Sequence, residues 1–209
     1  ELDIALRLEP DSYEVNRSVA LLSFRRHRQQ DAIRHYEKAM ALMDSDIHSG
    51  TMLISCYNAI GDVESGRRIA QVTLARAEKA LAQDPNDGAA LGFGACALAE
   101  LGESDRAKEW MNRALLVDPE NLKTRYNFAC ILAVPLGEFE AALNVLEPLF
   151  ARISKGLLNH AKVDSDLDPL RDDPRFKAMV AAAEARLAAA NDGGAPQAEQ
   201  PGTKSPPRY

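Results

Sequence analysis

Ala80-Leu81-Ala82-Gln83-Asp84-Pro85 and Ala114-Leu115-Leu116-Val117-Asp118-Pro119 are two copies of one phrase. Ala5-Leu6-Arg7-Leu8-Glu9-Pro10 is a third copy. Ala39-Met40-Ala41-Leu42-Met43-Asp44 is a weaker fourth, with Asp44 in the proline's place. The interval from Pro85 to Pro119 equals that from Ala5 to Ala39, so the phrases keep one period. Proline lacks the amide hydrogen that a helix interior needs, and it disfavours helical geometry in the residue before it. Each phrase therefore reads as a helix end followed by a turn. A second kind of break lies between the phrases. Gly61-Asp62, Gly102-Glu103 and Gly137-Glu138 each follow an apolar-periodic stretch, and glycine supplies the left-handed conformation that closes a helix. Five positions beyond these glycines stand Gly66, Ala107 and Ala142. Small side chains there let two antiparallel helices approach closely.

Helix, glycine turn, helix, proline turn at this period resembles the tetratricopeptide repeat over roughly residues 1–150. The small residue recurs in phase as Ala32, Gly66, Ala107 and Ala141 or Ala142, and large packing residues stand at Tyr36, Tyr57 and Met111. The aromatic usual at the family's fourth position is missing, with Asn16, Gly50, Leu91 and Arg125 in its place. The resemblance implies an all-α fold, a right-handed superhelical solenoid of helical hairpins with a C-terminal capping helix. Residues 1–12 read as the second helix of a truncated repeat, 13–156 as four repeats, 157–190 as a non-repeat cap and 191–209 as a disordered tail. Full repeats begin near Tyr13, Ile47, Gly88 and Leu122.

The interval from Gly66 to Ala80 is twice that from Ala32 to Ala39 or from Ala107 to Ala114. The surplus is about two turns at ~3.6 residues each, so Val63–Ala82 should be one helix, with Ile69, Val72, Leu74, Ala77 and Leu81 as its apolar face. The fourth repeat slips by one position around Pro135, and Pro148 predicts a kink or break in its second helix. Beyond it, Asp173 reads as an N-cap with Pro174 at the first helical position. Leu167, Leu170, Phe176, Met179 and Val180 can cover the open end of the core. The run from Asp166 to Phe176, behind repeats with a lengthened second helix, is similar to the carboxyl end of a bacterial group. In that group the repeats follow a class III adenylate cyclase, a serine/threonine kinase or a DNA-binding domain. The resemblance implies a protein–protein interaction module, the regulatory C-terminal region of a larger signalling protein such as a cyclase. The alternatives are an architectural oligomerisation segment, or part of a kinase or transcriptional regulator carrying such repeats.

Composition sets outer limits. A net charge of −6 over 209 residues argues against nucleic acid. No apolar run reaches the ~18 residues that span a bilayer. The chain opens on Glu1 without an apolar signal segment, which predicts a processed protein or a piece of a longer one. Three cysteines cannot build a disulfide framework, so the reducing cytoplasm is the simplest compartment. Cys56, Cys96 and Cys130 are spaced like the repeats rather than in the close pairs of metal sites, and read as small packing residues. Asp164, Asp166 and Asp168 mimic the start of a calcium loop, but Pro169 and Arg175 stand where its Gly and Glu belong. Nucleophile elbow, phosphate loop and dinucleotide fingerprint are all missing. The sequence therefore predicts no enzyme, no metal and no cofactor. One dense basic cluster, Arg25-Arg26-His27-Arg28, falls at the first hairpin turn, where the other repeats have glycine.

The resemblance places the binding surface on the inner face, lined by first helices. Its inner positions carry over as Glu14, Arg17, Leu21, Phe24 and Arg25; as His48, Thr51, Ser55, Asn58 and Ala59; as Ala89, Gly92, Cys96, Ala99 and Glu100; and as Lys123, Tyr126, Cys130 and Ala133. Arg17, Phe24, Arg25, Thr51, Asn58, Glu100, Lys123 and Tyr126 are the expected groove contributors. The set lacks the Lys, Asn and Arg pattern with which some of these repeats clamp chaperone tails. The partner is expected to be a protein, a peptide or a neighbouring domain. Exposed apolar residues of the truncated first repeat, Leu2, Ile4, Leu6 and Leu8, suggest a homodimer through the N-terminal end.

Overall fold

The computed structural model of the chain describes residues 2–192, and among these every regular element is helical. α1 (Leu2–Leu8) precedes four hairpins: α2 (Tyr13–Arg25) with α3 (Gln29–Leu42), α4 (His48–Ala59) with α5 (Val63–Gln83), α6 (Gly88–Glu100) with α7 (Ser104–Val117), and α8 (Leu122–Ala133) with α9 (Phe139–Phe150). α10 (Lys155–Ala161), a 3₁₀ turn (Ser165–Leu170) and α11 (Pro174–Asp192) follow. The hairpins stack into a right-handed superhelix in which α4 touches α6 and α6 touches α8, so the first helices line one continuous face. Residues 193–209, the greater part of the expected disordered tail, lie outside the described residues.

Local chemistry fixes the ends of the helices. Asp62, Asp87 and Asn121 accept hydrogen bonds from the Ser65, Ala90 and Thr124 amides at 3.1, 2.9 and 3.0 Å, which satisfies donors that a helix start leaves unpaired. Gly61, Gly102 and Gly137 close the hairpins at φ of +78°, +80° and +64°. In the first hairpin His27 takes that left-handed place at φ +57°.

The residues that replace the fourth-position aromatic reveal how the turns between repeats are held. Asn16 is fully buried and its Nδ2 donates to the carbonyls of Pro10 and Ser12, both at 2.8 Å. Arg125 donates from Nε and an Nη to Pro119 O, each at 3.2 Å. Gly50 and Leu91 have no polar side chain, and there an arginine from the following second helix does the same work. Arg76 of α5 donates to Met40 O, Met43 O and Asp46 O at 3.0, 3.2 and 3.1 Å. Arg113 of α7 donates to Pro85 O at 2.9 Å. Each of the four turns thus has its carbonyls satisfied from the side, including the one at Asp44 that lacks the proline.

Close approach of helices depends on two glycines. A Cβ at Gly94 would overlap Trp110 Cζ3 and lie 3.0 Å from Ala77 Cβ, so α6 can press against α5 and α7 only with hydrogen there. A Cβ at Gly50 would overlap Thr73 Oγ1. α5 runs unbroken, burying Gly66, Ala70, Thr73, Leu74 and Ala77. Ile69 and Leu81 are half-buried, but Val72 points to solvent, 40% exposed. It falls one position short of the Thr73 that takes its expected place in the stripe. α9 continues through Pro148 to Phe150. The proline sits in the last turn, where it costs a single helical hydrogen bond.

The C-terminal cap is more elaborate than one helix. The boundary expected at residue 156 falls inside α10, which has no counterpart in the repeating pattern. Leu167, Leu170 and Phe176 are buried, with Met179 and Val180 packed against them. Asp173 Oδ1 accepts from the Arg175 amide at 2.7 Å and starts α11. Arg175 reaches Glu140, Asn144 and Glu147 of α9, and Arg186 donates to Ile153 O at 2.6 Å. α11 therefore runs parallel to α9 and packs along it.

Candidate functional site: the inner face of the solenoid

The inner face is built from the solvent-facing sides of α2, α4, α6 and α8. Its middle is shallow because Ser55, Asn58, Ala59 and Ala89 are exposed and small. Thr51 is half-buried and its hydroxyl donates to Ile47 O at 3.3 Å. Asn58 Nδ2 donates to Glu100 Oε2 at 2.7 Å, which bridges α4 and α6 across the surface. Phe24 is half-buried against the core cluster of α3 and α4, while Arg25 and Lys123 are exposed. Ala99 is buried, and Gly92 faces the Phe128 ring, where an added Cβ would find it at 3.8 Å. Those two small residues therefore serve helix packing rather than a wider groove.

Tyr126 corrects the expected set. It is 5% exposed, and its hydroxyl donates to Asp164 Oδ2 at 2.5 Å. Its ring lies 5.6 Å from that of His160, whose Nε2 is 3.2 Å from the same carboxylate oxygen. The cap's entry strap covers this residue, so Tyr126 anchors α10 and the 3₁₀ turn onto α8 and does not line an open groove. Asp164 Oδ1 accepts the Asp166 amide; its oxygens thus hold the cap together. The open part of the inner face is its α2–α6 stretch and the start of α8.

The N-terminal end of that face is chemically distinctive. Arg17 and His48 are both half-buried, and Arg17 Nε, His48 Nδ1 and the Oδ2 of buried Asp46 are sealed from solvent without a hydrogen-bond partner among the described residues. The Phe93 ring of α6 stands edge-on to His48 with centroids 5.3 Å apart. Burial holds the His48 pKa below the ordinary imidazole value; the charges of Arg17 and Lys123 lower it further, and Asp46 opposes them. Register had put Arg17, His48 and Lys123 on this face. It missed Phe93, which stands one position beyond the inner-face Gly92.

Elsewhere the surface offers less. The cysteines are free, and burial pushes Cys56 and Cys96 up to about 12 and Cys130 up as well, so all three stay protonated thiols. The turn Arg25-Arg26-His27-Arg28 is exposed, with Arg28 paired to Asp31. On the outer face a crevice of about 220 Å³ opens between α7 and α9, lined by Met111, Leu115, Leu132 and Val145.

No protein-family model and no curated protein matches the sequence. Solved structures do. A tetratricopeptide-repeat protein of Thermus thermophilus, TTC0263, aligns over 88% of this chain and 87% of its own at 18% identity, with a TM-score of 0.54. A tetratricopeptide-repeat protein of Parabacteroides merdae aligns over 91% and 78% at 16% identity, TM-score 0.48. YrrB, described as a tetratricopeptide-repeat protein with an unusual peptide-binding site, aligns over 77% and 97% at 17% identity, TM-score 0.37. The chain has the tetratricopeptide-repeat fold, and no helix among its described residues is long and apolar enough to cross a membrane.

Proposed function

We propose that the chain is a protein–protein interaction scaffold that holds a segment of a partner protein, or of a neighbouring domain, on its inner face. The observation that carries this reading is the open inner face itself: a surface of four stacked first helices with exposed small residues at its centre and, at one end, a half-buried arginine whose Nε has no hydrogen-bond partner among the described residues. A half-buried charge without a partner costs free energy that a bound ligand can recover. In this reading the chain is the regulatory C-terminal region of a larger bacterial, cytoplasmic signalling protein of the adenylate cyclase type, and it performs no chemistry itself. The acidic net charge favours a protein partner over nucleic acid.

The test is capture of partners from the native extract by wild-type bait and by bait carrying Arg17→Ala with Lys123→Ala. Tyr126 is left intact because it anchors the cap. Loss of a captured protein in the double variant, with helicity unchanged, supports the inner face. Equal capture by both baits moves the binding surface elsewhere. A second reading rests on α1, where Leu8 is 77% and Ile4 53% exposed: self-association through the N-terminal end. Sedimentation at increasing concentration separates the two, since Ile4→Ser with Leu8→Ser should abolish any dimer and leave partner capture intact.

A further inference from the structure

The turns that close the four hairpins share one edge of the solenoid, because α2, α4, α6 and α8 run parallel and stack in order. Along that edge the charge changes sign. The first turn, Arg25-Arg26-His27-Arg28, is exposed throughout, and Arg34 stands exposed beyond it in α3. Asp31 is the one carboxylate in this stretch. It lies 3.6 Å from Arg28 and also pairs with Arg34, which leaves Arg25 and Arg26 without an ion pair among the described residues. The other three turns carry exposed Glu64, Asp105 and Glu140 at the starts of their second helices. The nearby cations Arg106 and Lys108 are committed to Glu78, Glu103 and Glu138. The cap adds Asp172 at the same end as Glu140, since Arg175, in the first turn of α11, donates to Glu140 Oε2 at 2.9 Å. Four large apolar side chains flank the second and fourth turns: Ile60, Val63, Val134 and Phe139, each 41 to 53% exposed.

We infer that this edge joins two copies of the chain about a two-fold axis near its middle, the first turn of each copy lying against the fourth turn and cap of the other. A two-fold rotation reverses the order of the turns, so an edge that is basic at one end and acidic at the other becomes its own complement. Arg25 and Arg26 then meet Glu140 and Asp172 of the second copy, and their aliphatic stems cover its Val134 and Phe139. Ile60 and Val63 come to lie against its third turn. Glu140 and Asp172 already hold Arg175 and Lys177, but exposed pairs of this kind contribute little and exchange partners freely. An anionic membrane or a nucleic acid would meet the same arginines, yet the carboxylates further along the edge repel both. The dimer is independent of the inner-face reading, and both inner faces stay open in it.

Sedimentation velocity on the full chain tests the dimer. Dimer at low salt should give way to monomer as salt rises, because exposed charges across the contact are screened. Arg25→Glu with Arg26→Glu should weaken association at least about tenfold, and so should Glu140→Lys with Asp172→Lys. Mixed in equal amounts, these two variants should dimerise with each other, since each supplies the sign that the other lacks. Val63→Ser with Phe139→Ser should weaken the dimer several-fold. Circular dichroism confirms that each variant is folded. A monomer at every concentration in low salt overturns the proposal, as does a dimer that either charge variant leaves intact, or a mixture that does not associate. Growth past two copies overturns the two-fold arrangement. Self-association through α1 is abolished by Ile4→Ser with Leu8→Ser; the edge dimer survives that pair, and its loss there overturns the proposal.

Discussion

His27 occupies a backbone conformation that the other three hairpins give to glycine. A side chain in the left-handed region costs roughly 1–2 kcal/mol, and glycine's extra freedom in the unfolded chain returns part of it. His27→Gly should therefore stabilise the protein by about 0.5–1 kcal/mol, read as a higher urea midpoint at unchanged slope; a lower midpoint would show that the imidazole makes a favourable contact. Gly94 is the opposite case. Its hydrogen faces Trp110 and Ala77, so Gly94→Ala must push α6 away from both and should cost about 1–3 kcal/mol. Trp110→Leu in the same chain should soften that loss, and an unchanged melting temperature in Gly94→Ala alone would contradict the packing described. His35 and His48 both have pKa values lowered chiefly by burial. The unfolded chain then binds more protons between their folded values and about 6.5, so stability should decline as pH falls from 7 towards 5.5.

At the scale of elements, the turns between repeats depend on side-chain donors as much as on proline. Arg76 is 17% exposed and serves three carbonyls around the turn that lacks proline. Arg76→Ala should cost about 2 kcal/mol or more, and Arg113→Ala, with one carbonyl and a more exposed side chain, about 1 kcal/mol or less. Equal losses would mean the bonds are not what holds the turns. The hairpins were legible in the sequence because proline, glycine and small packing residues act locally and recur in phase. Arg76 and Arg113 were not, because each acts on a turn nearly a whole repeat away along the chain, through the geometry of stacking. Tyr126 was misplaced for a related reason: α10 and the 3₁₀ turn stand outside the period, and nothing local to Tyr126 announces that Asp164 will cover it. Pro148 signals a break only where a helix has further to run.

Across the whole molecule, the repeats are not equally coupled. α3 packs closely on α4 and α5 on α6, whereas α7 and α8 meet at few points and leave the crevice beside Leu132 and Val145. In a solenoid, stability is close to a sum over neighbours, so the weakest joint should open first. Hydrogen exchange should show α8–α11 exchanging as one unit at lower free energy than α4–α6, and Ala141→Leu, which fills part of the crevice, should narrow the gap. Uniform protection from α4 to α9 would contradict this. The contact of His48 with Phe93 also belongs to this scale. Register placed His48 on the inner face and missed Phe93, because their meeting depends on how α4 and α6 stack, which no single repeat encodes. The central claim is that this inner face holds a partner segment. A photo-crosslinking residue at Thr51, on the inner face, compared with one at Val72, on the outer face, tests it most directly in the native cell. One partner segment should attach at position 51 and be absent at 72; attachment at 72 with none at 51 would contradict the account.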